Sequence, residues 1–552
     1  MKKKLISVLC AFVLIALIAG GMAVKFIVDK YSYSKERVEP SVFYEVQDNT
    51  LRLVVGDELR DERLILRDGK CYISVEAANN LINNIFYYDA SVNKVLADIY
   101  SSIEELDIDG GDAVMEGEEA YVSMEYVSNY GNIEYKQCPV FLQLYNTWEE
   151  YKEAKVSKKT HIRTKGGIKS PILCDLAPGE KVRVIEKMDN WSKVKNSESV
   201  IGYVENKFLD TAVIVDPEPV SKFNVPVTPA NGLGVKPCVG FHSIGGIAGN
   251  ETLSSMIAES PGINVIAPTW FSLNDSQGGI RSYGTGSYVS TAHSMGIKVW
   301  GVVDDFNYVN ETSSSIDEAA VLNDYNNRRN LENNIMNQAA SLGLDGINLD
   351  FEKVKSDFSK GFVWFVRELG VKCREKGITL SVDNAVPADF NSYLRTDLQA
   401  KGADYIIIMG YDEHWHGCGN PGSVASIDYV SKGIERTLQG VDASKVINAI
   451  PLYTILWKEA GTSITDEYIS IKNQADFIAR NQVEYAWDGG TCQNYAQWEK
   501  DGVTYSIWLE DYDSLSVKLD MMKQKGIAGV AVWRLGYGTN EIWALIRNYN
   551  AM

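Results

Sequence analysis

Strict alternation marks the stretch "GLDGINLDFEKV", Gly343 to Val354. Asn348, Asp350 and Glu352 stand two residues apart, with Ile347, Leu349 and Phe351 between and beside them. Period two predicts a β-strand with two unlike faces. The preceding "NRRNLENNIMNQAASLG" reads as an amphipathic helix that stops at Gly343. A helix feeding a strand suggests an α/β unit, whose parallel strands are normally apolar on both faces. Here one face carries an amide and two carboxyls.

Eight such strands follow one another after about Val235. They are "CVGFHSI", "NVIAPTWFSL", "KVWGVVDDF", "GINLDFE", "TLSVDNAV", "YIIIMGYD", "VINAIPLY" and "AGVAVWRL". Most are separated by helical patterns such as "FSKGFVWFVRELGVKCREKG". Eight strand–helix units in roughly 315 residues predict an α/β protein built on a (β/α)8 TIM barrel. The excess length, about Trp457 to Ser514, predicts a small α+β insertion before strand eight. In this fold the chemistry sits at the C-terminal ends of the strands. Strand four ends in Asp350 and Glu352, strand six in Tyr411 and Asp412, and strand eight in Trp533 and Arg534.

The chain before the barrel is modular. "MKKKLISVLCAFVLIALIAGGMAVKFIV" sets three lysines before about twenty apolar residues, enough to cross a bilayer. Residues 1–30 therefore predict an uncleaved transmembrane anchor with the bulk of the chain extracellular; a cleaved signal peptide is the alternative. Residues 40–150 hold a repeat of strand, short helix and strand. Tyr72, Ser74 and Glu76 align with Tyr121, Ser123 and Glu125, and Ile85 and Tyr87 with Ile133 and Tyr135. The pattern resembles the copper amine oxidase N-terminal-like module of bacterial surface proteins, and is read as a spacer or wall-contact unit with no copper. Residues 158–212 give short strands broken by Gly, Pro and Asp-Asn turns, as a small all-β barrel requires. Gly179-Glu180, Trp191, Val194 and Gly202-Tyr203-Val204 resemble the bacterial Src-homology-3-type domain, which implies peptidoglycan as a ligand. Trp191 is expected to pack in that small barrel's core. Residues 213–234, with Pro217, Pro219, Pro226 and Pro229, predict a stiff linker, and the large domain runs over 235–552.

Composition narrows the partners. A formal charge of −19 argues against a nucleic-acid partner, because nothing would neutralise phosphates. With only five histidines and no CxxC spacing among eight cysteines, neither a zinc knuckle nor a disulfide framework is expected. His414, His416 and Cys418 form an H-x-H-x-C, but no further ligand is evident; they are read as groove residues, with no metal and no cofactor.

Asp345, Asn348, Asp350 and Glu352 resemble the DxxDxDxE motif of glycoside hydrolase family 18, the chitinase-like enzymes. Met409-Gly410-Tyr411-Asp412 resembles the family's MxYD strand and Trp533 its strand-eight tryptophan. The resemblance covers about residues 236–552, and "GVTYSIWLED" and "VAVWRLGYG" look closest to the spore-cortex and cell-wall branch. Two departures stand out: Asn348 replaces an Asp, and "VWGVVDDF" lacks the family's SxGG. The resemblance implies retaining, substrate-assisted cleavage of β-1,4-linked N-acetylglucosamine glycans, peptidoglycan before chitin. Side chains two apart on a strand lie about 6.6 Å apart on one face, so Asp350 and Glu352 can share a site.

In that chemistry Glu352 is the acid, its pKa raised by an anionic neighbour and partial desolvation. The substrate's acetamido oxygen is the nucleophile. Asp350 would hold the acetamido N–H and the oxazolinium ion, with Asn348 orienting it. Tyr411 would donate to the acetamido oxygen, Asp412 would bind the distorted sugar, and Trp533 would stack beneath it. Met409 and Glu510 are further candidates for substrate binding. Lys353, offset by one residue, points away from this face. The alternative is a catalytically silent family-18 lectin, which would usually lack the acid that Glu352 supplies.

Overall fold

Each of the eight apolar runs forms a strand in the computed structural model, which describes residues 2–306 and 316–551. The strands are β1 (Cys238–His242), β2 (Val265–Leu273), β3 (Lys298–Asp304), β4 (Gly346–Asp350), β5 (Thr379–Ala385), β6 (Tyr405–Met409), β7 (Val446–Pro451) and β8 (Gly529–Trp533). They pair in sequence order, all in parallel, and β1 pairs with both β2 and β8, closing the barrel. The register sets Val302 of β3 beside Asn348 of β4, and Asp304 beside Asp350.

Two helices show how the sequence shapes the wall behind β4. The helix α1 (Tyr325–Leu342) begins where the Asp324 side chain accepts the Asn327 N–H, and ends at Gly343 with φ 72°. Only glycine takes that left-handed conformation at no steric cost, so the chain can turn sharply into β4. The helix α2 (Ser359–Lys376) follows and is buried along most of its length. The excess before β8 is a five-stranded antiparallel sheet with one helix, Ile471–Asn481.

The chain divides into two compact units: Met1–Phe86 with Leu106–Asn224, and Tyr87–Glu105 with Val225–Met552. A short segment from the repeated region thus packs with the barrel. Its charges are buried with partners. Arg328 of α1 bonds Asp89 at 2.6 Å and Glu368 of α2 at 3.0 Å, all three with side chains 0% exposed. Arg367 bonds Asp98 at 2.6 Å, and Tyr87 stacks on Trp364 with ring centroids 5.2 Å apart. Removing one member of such a set leaves uncompensated buried charge. Arg328→Met would leave Asp89 and Glu368 without their shared cation, and should cost about 3–5 kcal/mol. A melting temperature by circular dichroism within ~2 °C of wild type would contradict this attachment.

In the other unit, the helix Lys2–Tyr31 is apolar and has no buried residue. The two repeats meet edge to edge: Lys70–Ser74 and Glu119–Ser123 run antiparallel, pairing Tyr72 with Ser123 and Ser74 with Tyr121. Each serine then caps a short helix, accepting from Ala77 N–H and Tyr126 N–H respectively. The Src-homology-3-type region supplies five strands of a seven-stranded sheet, completed by Tyr151–Lys155 and Val213–Val215, around Ile162, Leu173, Val182, Val194 and Val204. Trp191 differs from expectation. It is half-buried, outside that core, and lines a cavity of about 500 Å³ with Tyr33, Arg37, His161 and Arg163. Small aliphatic side chains already fill the interior, which leaves the indole at the rim.

Candidate active site

Ile347 and Leu349 are fully buried in the barrel's apolar core, while Asn348 and Asp350 occupy the other face of β4. The motif's first carboxylate lies apart from the rest. Asp345 precedes the strand and accepts from Val299 N–H, Lys298 Nζ and His293 Nε2 at 2.7–2.9 Å. It fastens the start of β4 to its neighbours.

Asn348 is 0% exposed. Its Nδ2 donates to Asp383 Oδ1 at 2.8 Å and to Ser381 Oγ at 3.0 Å. Asp350 is also buried, and among the described residues its Oδ1 has no hydrogen-bond partner. Burial first, then the charges of Asp383, Glu352, Asp304 and Asp305, hold its pKa well above the ordinary carboxyl range. Glu352 reaches the open mouth of the barrel. The surrounding wall strips part of its hydration, and with the nearby charges of Asp305, Asp412 and Asp304 this pushes its pKa up to about 7. A carboxyl in that range is half-protonated near neutrality, as a general acid must be.

Strand six supplies the facing wall. Gly410 lies so close to Asn448 that a Cβ there would come within 2.6 Å of its Oδ1, so only glycine fits before Tyr411. Tyr411 is buried, and burial followed by the charges of Asp350 and Asp383 raises its phenol pKa, keeping it a proton donor. Asp412 takes φ 59°, a conformation that costs free energy for a residue other than glycine and is commonly retained at functional sites. Its Oδ1 accepts from Tyr453 Oη of the insertion. Met409 and Trp533 end their strands half-buried against the core, and the Trp533 ring lies 5.8 Å from Phe241. The Trp533–Arg534 peptide is cis.

Glu510 is a correction to the sequence reading. It is 0% exposed and bonded to Lys518 Nζ at 2.7 and 2.9 Å, to Gln493 Nε2 at 2.6 Å and to Ser514 Oγ at 3.1 Å. Its oxygens are engaged inside the protein, where it braces the insertion, rather than open to a ligand. His414 Nδ1 meets the Asn420 carbonyl at 2.8 Å, while His416 pairs with Asp466, so the two rings serve separate partners.

Four residues escaped the sequence reading. Asp304 ends β3 and Asp305 follows it; burial, only partly offset by hydrogen bonds from Ser272 and the Phe306 N–H, pushes Asp304 up to about 6. Asp305 accepts Glu352 N–H at 3.2 Å and Lys353 N–H at 2.8 Å, fixing the turn that carries the acid. Asp383 on β5 and Tyr453 complete the set. The carboxyls in "VVDDF" and "SVDNAV" interrupt apolar runs just as Asp350 does, and that interruption was the available signal.

Residues 312–538 match the family described as glycosyl hydrolases family 18, and residues 158–210 match the bacterial SH3 domain. The YdhD glycosylase of Bacillus subtilis (strain 168), whose name assigns it to sporulation, is 32% identical over 237 residues, 41% of this chain and 55% of that protein. The cortical fragment-lytic enzyme of Bacillus anthracis is 26% identical over 239 residues, again 41% of this chain and 55% of that one. The chain thus spans about half the length of these curated relatives. A chitinase from Chromobacterium violaceum shares the barrel fold, with TM-score 0.51 and 23% identity over 57% of this chain and 99% of its own. Asp350 and Glu352 at the end of β4, the tyrosine and aspartate after β6, and the family match agree: residues 312–538 carry a domain matching glycosyl hydrolases family 18, and residues 158–210 one matching the bacterial SH3 domain.

Proposed function

We propose that the protein is a membrane-anchored, extracellular glycoside hydrolase. It cleaves β-1,4-linked N-acetylglucosamine glycans, with peptidoglycan favoured over chitin. The observation that carries this reading is the pairing of a buried carboxyl, Asp350, with an acid at the mouth, Glu352, whose pKa of about 7 suits proton donation. Glu352 protonates the leaving glycosidic oxygen. No second carboxylate has to attack, because in this family the acetamido oxygen of the substrate closes on the anomeric carbon. Asp350 accepts the acetamido N–H and faces the resulting oxazolinium cation. Tyr411, kept protonated by its surroundings, donates to the acetamido oxygen. Asp412 binds the distorted sugar, Trp533 stacks beneath it, and Met409 lines its side. Water then opens the oxazolinium with Glu352 as base, and two inversions retain configuration.

The wall preference rests on the bacterial SH3 domain and on relatives named for cortical fragments and sporulation. The anchor rests on the 30-residue apolar helix at Lys2–Tyr31. External protease on intact cells should release the barrel and leave a membrane stub containing Lys2 to Lys4. A mature N-terminus between Met22 and Tyr33, by peptide mapping, would indicate a cleaved signal instead.

A further inference from the structure

Asn348 stands where the family pattern carries a carboxyl, and an amide cannot take up charge. A carboxyl nevertheless lies beside it. Asn348 Nδ2 donates to Asp383 Oδ1 at 2.8 Å and to Ser381 Oγ at 3.0 Å, both on β5. The parallel register pairs Asn348 with Ser381 and Leu349 with Val382. One step further along sets Asp383 next to Asp350, on strands whose axes lie about 4.8 Å apart. Both carboxyls are buried, 5% and 9% exposed.

Two carboxyls this close in a dry interior cannot both ionise without large cost, so they hold a proton between them. Their surroundings are unequal. Burial raises both carboxyls, Asp383 to about 8 and Asp350 well above the ordinary range, but Asp383 receives an N–H from Asn348, which makes it the more readily ionised of the two. Asp350 Oδ1 receives no donor among the described residues, which favours its neutral form. Among the described residues the groups facing the pair are acidic or neutral, with Lys353 acting on Glu352 and Asp305 and Arg281 on Asp304 just outside it. Glu352 and Asn348 face it from β4, Asp304 and Asp305 from β3, and Tyr411 from β6, with Asp412 beyond, against Glu352.

We propose that Asp383 is a positioning residue that supplies the carboxyl β4 lacks, sharing one proton and one negative charge with Asp350. The inference rests on the substrate-assisted reading above. At rest the charge sits on Asp383 and the proton on Asp350. As the oxazolinium cation forms, the O–H bond of Asp350 breaks and a new O–H bond forms on Asp383. The negative charge passes to Asp350, beside the cation. Protons and net charge of the pair are unchanged, so the step draws nothing from solution.

The test uses the full chain in detergent, with N-acetylglucosamine oligomers as substrate. Asp383→Asn should lower kcat at least ~10-fold with KM nearly unchanged. Its acid limb should move to higher pH, because Asp350 must now release its proton from a buried site to water. The swap Asn348→Asp with Asp383→Asn returns the carboxyl to β4, and should recover kcat to within about threefold of wild type and bring the limb back. A merely structural Asp383 would move neither the limb nor respond to the swap. Asp383→Asn within twofold of wild type with its limb in place would overturn the proposal. So would a folded swap variant as slow as Asp383→Asn. If Asp383→Asn alone does not fold, by circular dichroism, the swap decides. Glu352→Gln run in parallel separates the two failures. Activity in Glu352→Gln removes the reaction reading itself; a dead Glu352→Gln beside an unaffected Asp383→Asn removes only the role of Asp383.

Discussion

Glu352→Gln will lower kcat by ~10²–10⁴ while leaving the affinity for oligosaccharide nearly unchanged. The amide keeps the size of the side chain and much of its hydrogen bonding, but has no proton to give to the leaving oxygen. Substrate contacts from Tyr411, Asp412 and Trp533 persist, so binding survives. The wild-type pH profile carries the same assignment. Glu352 works in its protonated form, and its pKa is raised to about 7. Activity should therefore hold below neutrality on that limb and fall as pH rises through about 7. Asp305→Asn removes one of the charges that raise this pKa, so the fall should begin at lower pH. A Glu352→Gln variant that is folded and keeps more than a tenth of wild-type activity would sink the assignment.

Fully deacetylated oligomers will bind but will not be cleaved. The nucleophile in the proposed mechanism belongs to the substrate, and removing the acetamido group removes it. A glycosidase whose second carboxylate attacks would be nearly indifferent to that change. The geometry favours the first case: Asp350 is buried, beside Asp383, and hard to ionise until a cation appears next to it. A cyclic thiazoline, resembling the oxazolinium ion, should inhibit competitively and tightly. Asp350→Ala should weaken that inhibitor far more than it weakens a simple sugar. Efficient turnover of deacetylated oligomers, or α-anomeric first products by NMR, would exclude substrate assistance.

The barrel was legible in the sequence because its cause is periodic. Each parallel strand must be apolar on both sides, and eight such runs separated by helical patterns leave few other closed arrangements. The centre of the site was legible for the opposite reason: Asp350 and Glu352 break that apolar rule. Asp383 breaks it equally, but its partner Asn348 lies 35 residues away, and register across strands is not written in either segment alone. Glu510 misled because an acid at the end of an apolar strand looks the same whether it meets a ligand or Lys518 eight residues on. Asp89 and Asp98 were opaque too. They lie in the repeated region with no sequence mark of a partner, and only the fold reveals Arg328 and Arg367 buried against them. Trp191 shows a limit of reasoning from size, since a large aromatic in a small domain serves either as core or as rim.

The most direct test of the whole account is digestion of purified peptidoglycan by the full chain in detergent, followed by mass spectrometry of the new reducing ends. The account predicts shortened glycan strands ending in reducing N-acetylglucosamine, absent from the Glu352→Gln digest. Glycan strands left intact while the protein stays bound to them would contradict it, and would make the barrel a lectin.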